Sequence, residues 1–307
     1  MKDGVSNNLA VANRRPKDLR RVISVCEAKD IDAWRAASPR IVKYIESVEY
    51  HLICPDAQVS DFIKASHPAW EIIGESRFTR DWGHDEIRQQ VRGENVFRVG
   101  WLLQQFIKIN AIIHSDLDDG DPVLIWDADT VPLAEIRFVD PASGIIRFYH
   151  SRERHEPYFK TINCLLGSGA LADKSFIAQC LPVRVGWVRG LVREIERGDE
   201  GSCIGKVLES LPGESGSEFS EYETIGTWAF RHHRGEMEFD RRNRWLRSGS
   251  SIISGDLLNV RSRLVLDVLS VVYDFVAFER WKRKLDFGTV CRAVRTRFSK
   301  WATRARG

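Results

Sequence analysis

The chain of 307 residues is long enough to bury a complete core, and with 43% hydrophobic and 29% charged residues its composition is that of an ordinary globular protein. The N-terminal stretch holds no apolar core of signal-peptide length and no run reaches about 18 uninterrupted apolar residues, so neither secretion by that route nor a membrane span is expected. The net charge of +3 conceals a split, because residues 280–307 carry ten Lys or Arg against one acid, Asp286, behind a mildly acidic body. Six cysteines lie scattered without a Cys-x-x-Cys pair, which argues against a zinc site or a disulfide framework and for buried thiols of a cytosolic protein. No recognisable nucleic-acid-binding motif accompanies the basic tail, and nucleic acid is not expected as a partner.

In chain order, RVISVCEAK (21–29) reads as a first strand, and apolar residues at helical spacing from Ile31 to Ile45 predict a helix that Ser38-Pro39 should break or restart. EYHLICPD (49–56) predicts a second strand, VSDFIKASHP a short helix, and AWEIIGES (69–76) a third strand. Strand alternating with helix three times points to a parallel βαβ unit. In VFRVGWLLQQFIKINAII (96–113), Trp101, Leu102, Phe106, Ile109 and Ile113 make an apolar helical face, with Gln104, Gln105 and Lys108 partly off it. The acidic SDLDDGD (115–121) is expected to be a solvated turn.

The next stretch, DPVLIWDADTVPL (121–133), is the most informative. Val123 to Trp126 is too short for a buried helix and lacks polar alternation, so it predicts a strand covered on both faces. Asp127 and Asp129 follow where that strand ends, and in an open α/β sheet ligands bind at the carboxyl ends of the strands. Two carboxylates that close are costly together without a cation, and hard oxygen ligands favour Mg²⁺ or Mn²⁺ with a phosphorylated substrate. The spacing alone allows equally a solvated turn or an Asx-type cap.

Later segments are less specific. GIIRFY (144–149) predicts a strand, His150 and His155 sit in a polar loop, and NCLLGSGALADKSF reads as strand, Gly-Ser-Gly turn and helix. In SEFSEYETIGTWAF (217–230), Ser220 and Glu223 form a capping-box pattern in which Glu223 reaches back to the cap's amide. Glu221, at the first helical position, is free of that task, and the helix dipole would keep it ionised as a base; a plain surface glutamate is the alternative. TWAF is expected to be a strand followed by His232 and His233, and Arg231, Arg241, Arg242, Arg244 and Arg247 form either a solvated face or an anion-holding one. From Leu264 to Phe278 an apolar helix with a polar stripe at Asp267, Ser270 and Asp274 is expected, either packed on the domain or lying on a membrane ahead of the basic tail.

Asp127-Ala128-Asp129 after a buried strand resembles the metal-binding Asp-x-Asp of nucleotide-sugar glycosyltransferases of the GT-A fold. The Gly-Trp-x-x-Gln-Gln-x-x-Lys helix and the Ser-Glu-Tyr-Glu segment resemble those of a poorly characterised bacterial group of such enzymes. Asp127-x-Asp129-Thr130 also resembles the opening motif of haloacid-dehalogenase-like phosphatases, but those carry it on their first strand, whereas here three strands precede it.

The glycosyltransferase resemblance implies an α/β, GT-A-like (Rossmann-like) fold with a mixed, mainly parallel sheet flanked by helices over residues 20–260, and a C-terminal helical basic extension over 261–307. It implies transfer of a sugar from a nucleoside-diphosphate donor, a UDP-sugar first, to an acceptor hydroxyl, with a divalent metal, Mn²⁺ or Mg²⁺, as cofactor. Asp127 and Asp129, with His232 or His233, would hold the metal. Asp30, Gln105, Lys108 and Asp127 would meet the donor, and Glu221 would be the catalytic base. Assembly of a surface polysaccharide or glycolipid is the expected setting, with a glycan or lipid-linked acceptor, an anionic membrane surface as partner of the tail, and a cytoplasmic location peripheral to the inner face of the membrane. The rival reading is a non-catalytic nucleotide- or sugar-binding protein on the same fold.

Overall fold

The computed structural model describes residues 18–79, 82–167, 172–198, 201–253 and 257–279. The first half alternates as expected: β1 (Arg21–Val25), α1 (Ile31–Tyr44), β2 (Glu49–Cys54), α2 (Val59–Ala65) and β3 (Trp70–Gly74), then helices α3 (His84–Gln90) and α4 (Val99–Ile113). The second half holds β4 (Pro122–Trp126), β5 (Thr130–Pro132), β6 (Ile146–Phe148), α5 (Glu156–Leu166), β7 (Cys180–Arg184), α6 (Val185–Ile195) and α7 (Cys203–Glu209). It closes with α8 (Glu221–His232), β8 (Met237–Phe239), β9 (Trp245–Leu246), α9 (Val260–Ser270) and β10 (Phe275–Ala277).

The main sheet has the order β3-β2-β1-β4-β7, parallel except for β7, which pairs antiparallel with β4. The fold is therefore a mixed, mainly parallel sheet flanked by helices. Because side chains alternate across a strand, Val22, Leu52 and Leu124 enter one core with Trp34 and Phe62, while Ile23, Ile53 and Ile125 enter the other with Leu102 and Phe106. Covering on both faces is why β4 is apolar without alternation, and why Ser24 in buried β1 gives its hydroxyl to the Trp126 carbonyl. The chain steps from β1 outward to β2 and β3, then returns to place β4 on the other side of β1. That reversal opens a crevice beyond the carboxyl ends of β1 and β4.

Several local expectations are revised. Pro39 does not break α1, which runs from Ile31 to Tyr44. The missing donor is tolerated because buried Ser38 is anchored elsewhere: its Oγ accepts from the His67 amide (3.2 Å) and its carbonyl from Trp70 Nε1 (3.1 Å). TWAF is helix, part of α8, and NCLL ends α5, which stops at Gly167 in the left-handed region (φ 62°). Cys164 is exposed, whereas Cys26, Cys54, Cys180 and Cys203 are buried; Cys291 lies outside the described residues.

The largest revision concerns the C-terminal apolar stretch. It is not one helix to Phe278: α9 ends at Ser270, and Phe275–Ala277 form β10, the middle strand of a small sheet between β5 and β9. Asp274 explains the break. Its buried carboxylate accepts from Tyr149 Oη (2.8 Å) and pairs with the Arg244 guanidinium, while its carbonyl accepts from the Leu133 amide (2.8 Å). The polar stripe is thus no stripe, since Asp274 faces inward and exposed Asp267 pairs with Arg40 at 3.7 Å. The basic segment 280–307 lies outside the described residues.

Removing Asp274 strands a half-buried guanidinium and a buried phenol, so Asp274→Ala is expected to cost about 3 kcal/mol, and Tyr149→Phe, which loses one hydrogen bond, only about 1 kcal/mol. Urea unfolding of the two variants checks that ranking.

Candidate functional site

A pocket of about 510 Å³ occupies the crevice beyond β1 and β4. Its floor is the turn after β4, where the Thr130 amide donates to the Asp127 carbonyl (2.9 Å) and the Asp127 amide to the Gln179 carbonyl (3.0 Å). Asp-x-Asp is thus a hydrogen-bonded turn, though not a solvated one, and it faces the pocket. Asp127, Ala128 and Asp129 line the pocket, as do Lys29 and Asp30, which follow β1.

One wall is the polar seam of α4. Trp101, Gln104, Gln105 and Lys108 line the pocket at spacings of three, four and seven, one helical face, while Leu102, Phe106 and Ile109 go to the core. The second wall is the start of α8. Ser220 caps it by accepting from the Glu223 amide (3.3 Å), and the Glu221 amide donates to Gln105 Oε1 (2.9 Å), so α4 satisfies another first-turn donor.

Lys108 joins floor and walls. Its buried ammonium donates to Asp127 Oδ1 (2.7 Å) and to Glu221 Oε1 (2.7 Å), and Tyr222 Oη donates to the same Asp127 oxygen (2.6 Å). Burial works against the Lys108 charge, but the two carboxylates outweigh it and raise its pKa, so it stays an ammonium. Burial, with Asp127 beside it, likewise keeps the Tyr222 phenol protonated as a donor. Glu221 differs from expectation in sign: burial raises its pKa, Lys108 draws it back, and Asp127 raises it again, so the helix dipole does not decide.

Asp129 carries the electrostatic tension of the site. Burial, followed by the charges of Asp127, Asp30 and Glu279, pushes its carboxyl up to about 8 against the pull of Lys108. A bound cation would offset that crowding. Two carboxylates of hard oxygen fit a divalent ion that completes its shell with water and substrate phosphate, although among the described residues no group of three or more His, Cys, Asp or Glu forms a ready cage. His232 and His233 do not contribute. They end α8 about 16 Å along the helix from Glu221, where His232 packs on Trp228 and reaches Glu194 (3.4 Å) and His233 stacks on Trp187 and reaches Glu236 (3.1 Å).

Asp30, Gln105, Lys108, Asp127, Asp129 and Glu221, separated by up to 191 positions, are thus brought to one pocket. Of Arg231, Arg241, Arg242, Arg244 and Arg247, only Arg247 lines it, held by Glu153 and by Glu279 (2.9 Å), and Arg98 joins it from ahead of α4. His155 lines it too, with Nε2 2.7 Å from the Ser217 carbonyl, while His150 is tied up outside through its carbonyl, which accepts from Asn243 and Trp245. Sequence reasoning missed Tyr222, Gln179 and Glu279. Tyr222 sat inside a quoted segment, and Glu279 was masked by the helix expectation. Gln179 left no signal, yet its backbone is left-handed (φ 61°), a conformation that turns its carbonyl to Asp127 while its side chain bonds Glu279.

No protein-family model matches the chain, and no curated protein sequence does. Among solved structures it is similar to the apo form of the bifunctional glycosyltransferase WbbM (TM-score 0.45, 9% identity), covering 87% of this chain and 46% of that one. Mouse xyloside xylosyltransferase 1 in its apo form gives a TM-score of 0.45 at 9% identity, over 87% of this chain and 99% of that one. The galactosyltransferase LgtC in complex with donor and acceptor sugar analogues gives 0.40 at 10% identity, over 91% and 95%. These neighbours are glycosyltransferases. The chain spans less than half of WbbM.

Glu223 also departs from expectation. It does not reach back to the Ser220 amide but turns inward, accepting from Ser175 Oγ (2.6 Å) and the Phe176 amide (3.1 Å). Burial raises its pKa from 4.5 to about 7 against those two bonds. The folded state therefore keeps a proton that the unfolded chain has lost, so this contribution is full below about pH 4.5 and is lost as pH rises through about 7, on the order of 3 kcal/mol in total. Glu223→Gln, which carries no titrating proton, is expected to melt at a temperature varying less between pH 5 and 8 than wild type, and to exceed wild type at pH 8.

Proposed function

We propose that the protein is a divalent-metal-dependent glycosyltransferase of the GT-A type, moving a sugar from a nucleoside-diphosphate donor to an acceptor hydroxyl. The observation that carries the reading is the Asp127–Lys108–Glu221 bridge, which links a carboxylate pair at the sheet's switch point to a carboxylate at a helix start within one pocket. A metal held by Asp127 and Asp129 would supply Lewis-acid stabilisation of the departing diphosphate. Lys108 holds Asp127 in place, and with Lys29 and Arg98 in the same lining it adds positive charge facing the diphosphate. Asp30 and Gln105 hold the donor's remaining polar groups.

In the transfer, a bond forms from the acceptor oxygen to the anomeric carbon while the bond from that carbon to the diphosphate oxygen breaks. Where the reaction inverts the anomeric centre, Glu221 takes the acceptor's proton, and its burial-raised pKa improves it as a base near neutral pH. Where it retains, that role lapses. A UDP-sugar is the first donor to try. A glycan or lipid-linked acceptor at the cytoplasmic membrane face is the setting consistent with the basic tail; among the described residues no helix is long and apolar enough to cross a membrane.

Screening nucleotide sugars for hydrolysis in the presence of Mn²⁺ tests the reading, and binding without turnover would favour a non-catalytic nucleotide-binding protein instead. Asp129→Asn is expected to fold normally, since it takes a buried acid out of a place crowded by three others, yet to lose most Mn²⁺-dependent nucleotide affinity by calorimetry. Removing the metal with a chelator should mimic it in wild type. Glu221→Gln is expected to lower kcat by about 10²–10⁴ with KM for the donor little changed if the enzyme inverts.

A further inference from the structure

The two edges of α4 meet different neighbours. On one, the Gln104 side chain donates to Glu27 Oε1 (3.0 Å) in the loop after β1, and Gly100 turns its bare Cα to the same carboxylate. On the other, Trp101 faces Tyr158 of α5, Gln105 Oε1 accepts from the Glu221 amide, and Lys108 donates to the Glu221 side chain. The pocket therefore has one side that belongs to β1 and another that belongs to α5 and α8. A nucleotide entering at the sheet's switch point takes the first, where Lys29 and Asp30 stand. The second, which carries the carboxylate at the helix start, is left for the acceptor.

That second side is aromatic and held in place. The Trp101 and Tyr158 rings lie nearly parallel, their planes 25° apart and their centroids separated by 6.4 Å. The Arg98 guanidinium packs over Trp101 (4.9 Å to the ring centroid) and donates to Ser217 Oγ (2.9 Å), while the His155 ring packs on Tyr158 (4.5 Å between centroids) and reaches the Ser217 carbonyl. Both aromatic rings are nonetheless only half-buried, and both line the pocket. Neither the Trp101 indole N–H nor the Tyr158 hydroxyl has a hydrogen-bond partner among the described residues. Burial, with the charge of Glu221 next, pushes the Tyr158 phenol up to about 12, so it stays a donor at neutral pH.

Flat apolar faces with unused donors at their edges match the chemistry of a pyranose ring. Its C–H bonds meet the negative face of an aromatic ring, and its hydroxyls accept from the free O–H and N–H. An acyl chain would leave both donors unmet, and a serine or threonine side chain offers no face to stack. We propose that Trp101 and Tyr158 form the acceptor subsite, and that the acceptor hydroxyl belongs to a sugar ring stacked on this pair. Its role as acceptor rests on the transfer reading, whereas the preference of the aromatic wall for a sugar ring does not.

The test is saturation-transfer NMR of the full-length protein with Mg²⁺ and UDP present. The probes are the α and β methyl glycosides of glucose, galactose, mannose and N-acetylglucosamine, with glycerol and a serine-containing peptide as controls. The expected result is saturation of the ring C–H protons of at least one glycoside and of neither control, with affinity for that glycoside falling about fivefold in Tyr158→Phe and about tenfold in Trp101→Ala. Calorimetric affinity for UDP with Mn²⁺ should stay within about twofold of wild type in both variants. Tyr158→Phe keeps the ring and its packing, so its unfolding midpoint should match wild type, and it alone decides if Trp101→Ala melts early. Binding of no glycoside overturns the proposal, as does unchanged glycoside affinity in Tyr158→Phe. A fall in UDP affinity in step with glycoside affinity assigns the wall to the donor's base and overturns it as well. Nucleotide-sugar hydrolysis without glycoside binding refutes the subsite and leaves the transfer reading standing. Glycoside binding that depends on Tyr158, in a protein without turnover, keeps the sugar site and refutes transfer.

Discussion

One buried ammonium holds the site together. Asp127 and Glu221 come from a strand end and a helix start 94 positions apart, and without a cation between them the pocket would force two carboxylates into a region shielded from water. Lys108 makes the arrangement tenable only because α4 crosses the crevice with its polar seam inward. The ion pair thereby fixes the relative placement of β4, α4 and α8. Tyr222 adds a second donor to Asp127 Oδ1, and Gln105 Oε1 takes the Glu221 amide, so the bridge belongs to a wider polar network. Compensation stops short of Asp129, which burial and the neighbouring Asp127, Asp30 and Glu279 leave crowded.

How much of this was legible in the sequence follows from the range of the forces involved. β4 announces itself because a strand covered on both faces is built mainly from apolar residues, and Asp127 stands out because it ends such a run. The seam of α4 was legible as residues off the apolar face, although its direction was not: Gln105 and Lys108 are buried against the pocket, and only the position of α8 makes that so. Glu221 was found through the cap beside it, while the sign of its pKa shift was misjudged because desolvation, invisible in a sequence, exceeds the dipole.

The misses share a cause. Pro39, Glu223, Asp274 and the histidine pair were read from local rules, and in each case a distant partner decided the outcome. Ser38 is held by the strand-side residues His67 and Trp70, so the helix tolerates Pro39. Ser175 and Phe176 offer Glu223 better donors than its own cap amide. Tyr149 and Arg244 give Asp274 an interior home and end a helix that periodicity alone would extend. His232 and His233 sit at the far end of the helix whose start forms the site, because an α-helix that delivers Glu221 and Tyr222 to a pocket carries its last turn away from it.

The same exchange of local for distant logic governs the strand that follows α9. β10 is clamped by Asp274 on one side and reaches the Asp129 carbonyl on the other. α9 is therefore joined to the pocket wall through a short strand that β5 and β9 hold on both edges, in the same small sheet that backs the carboxylate turn.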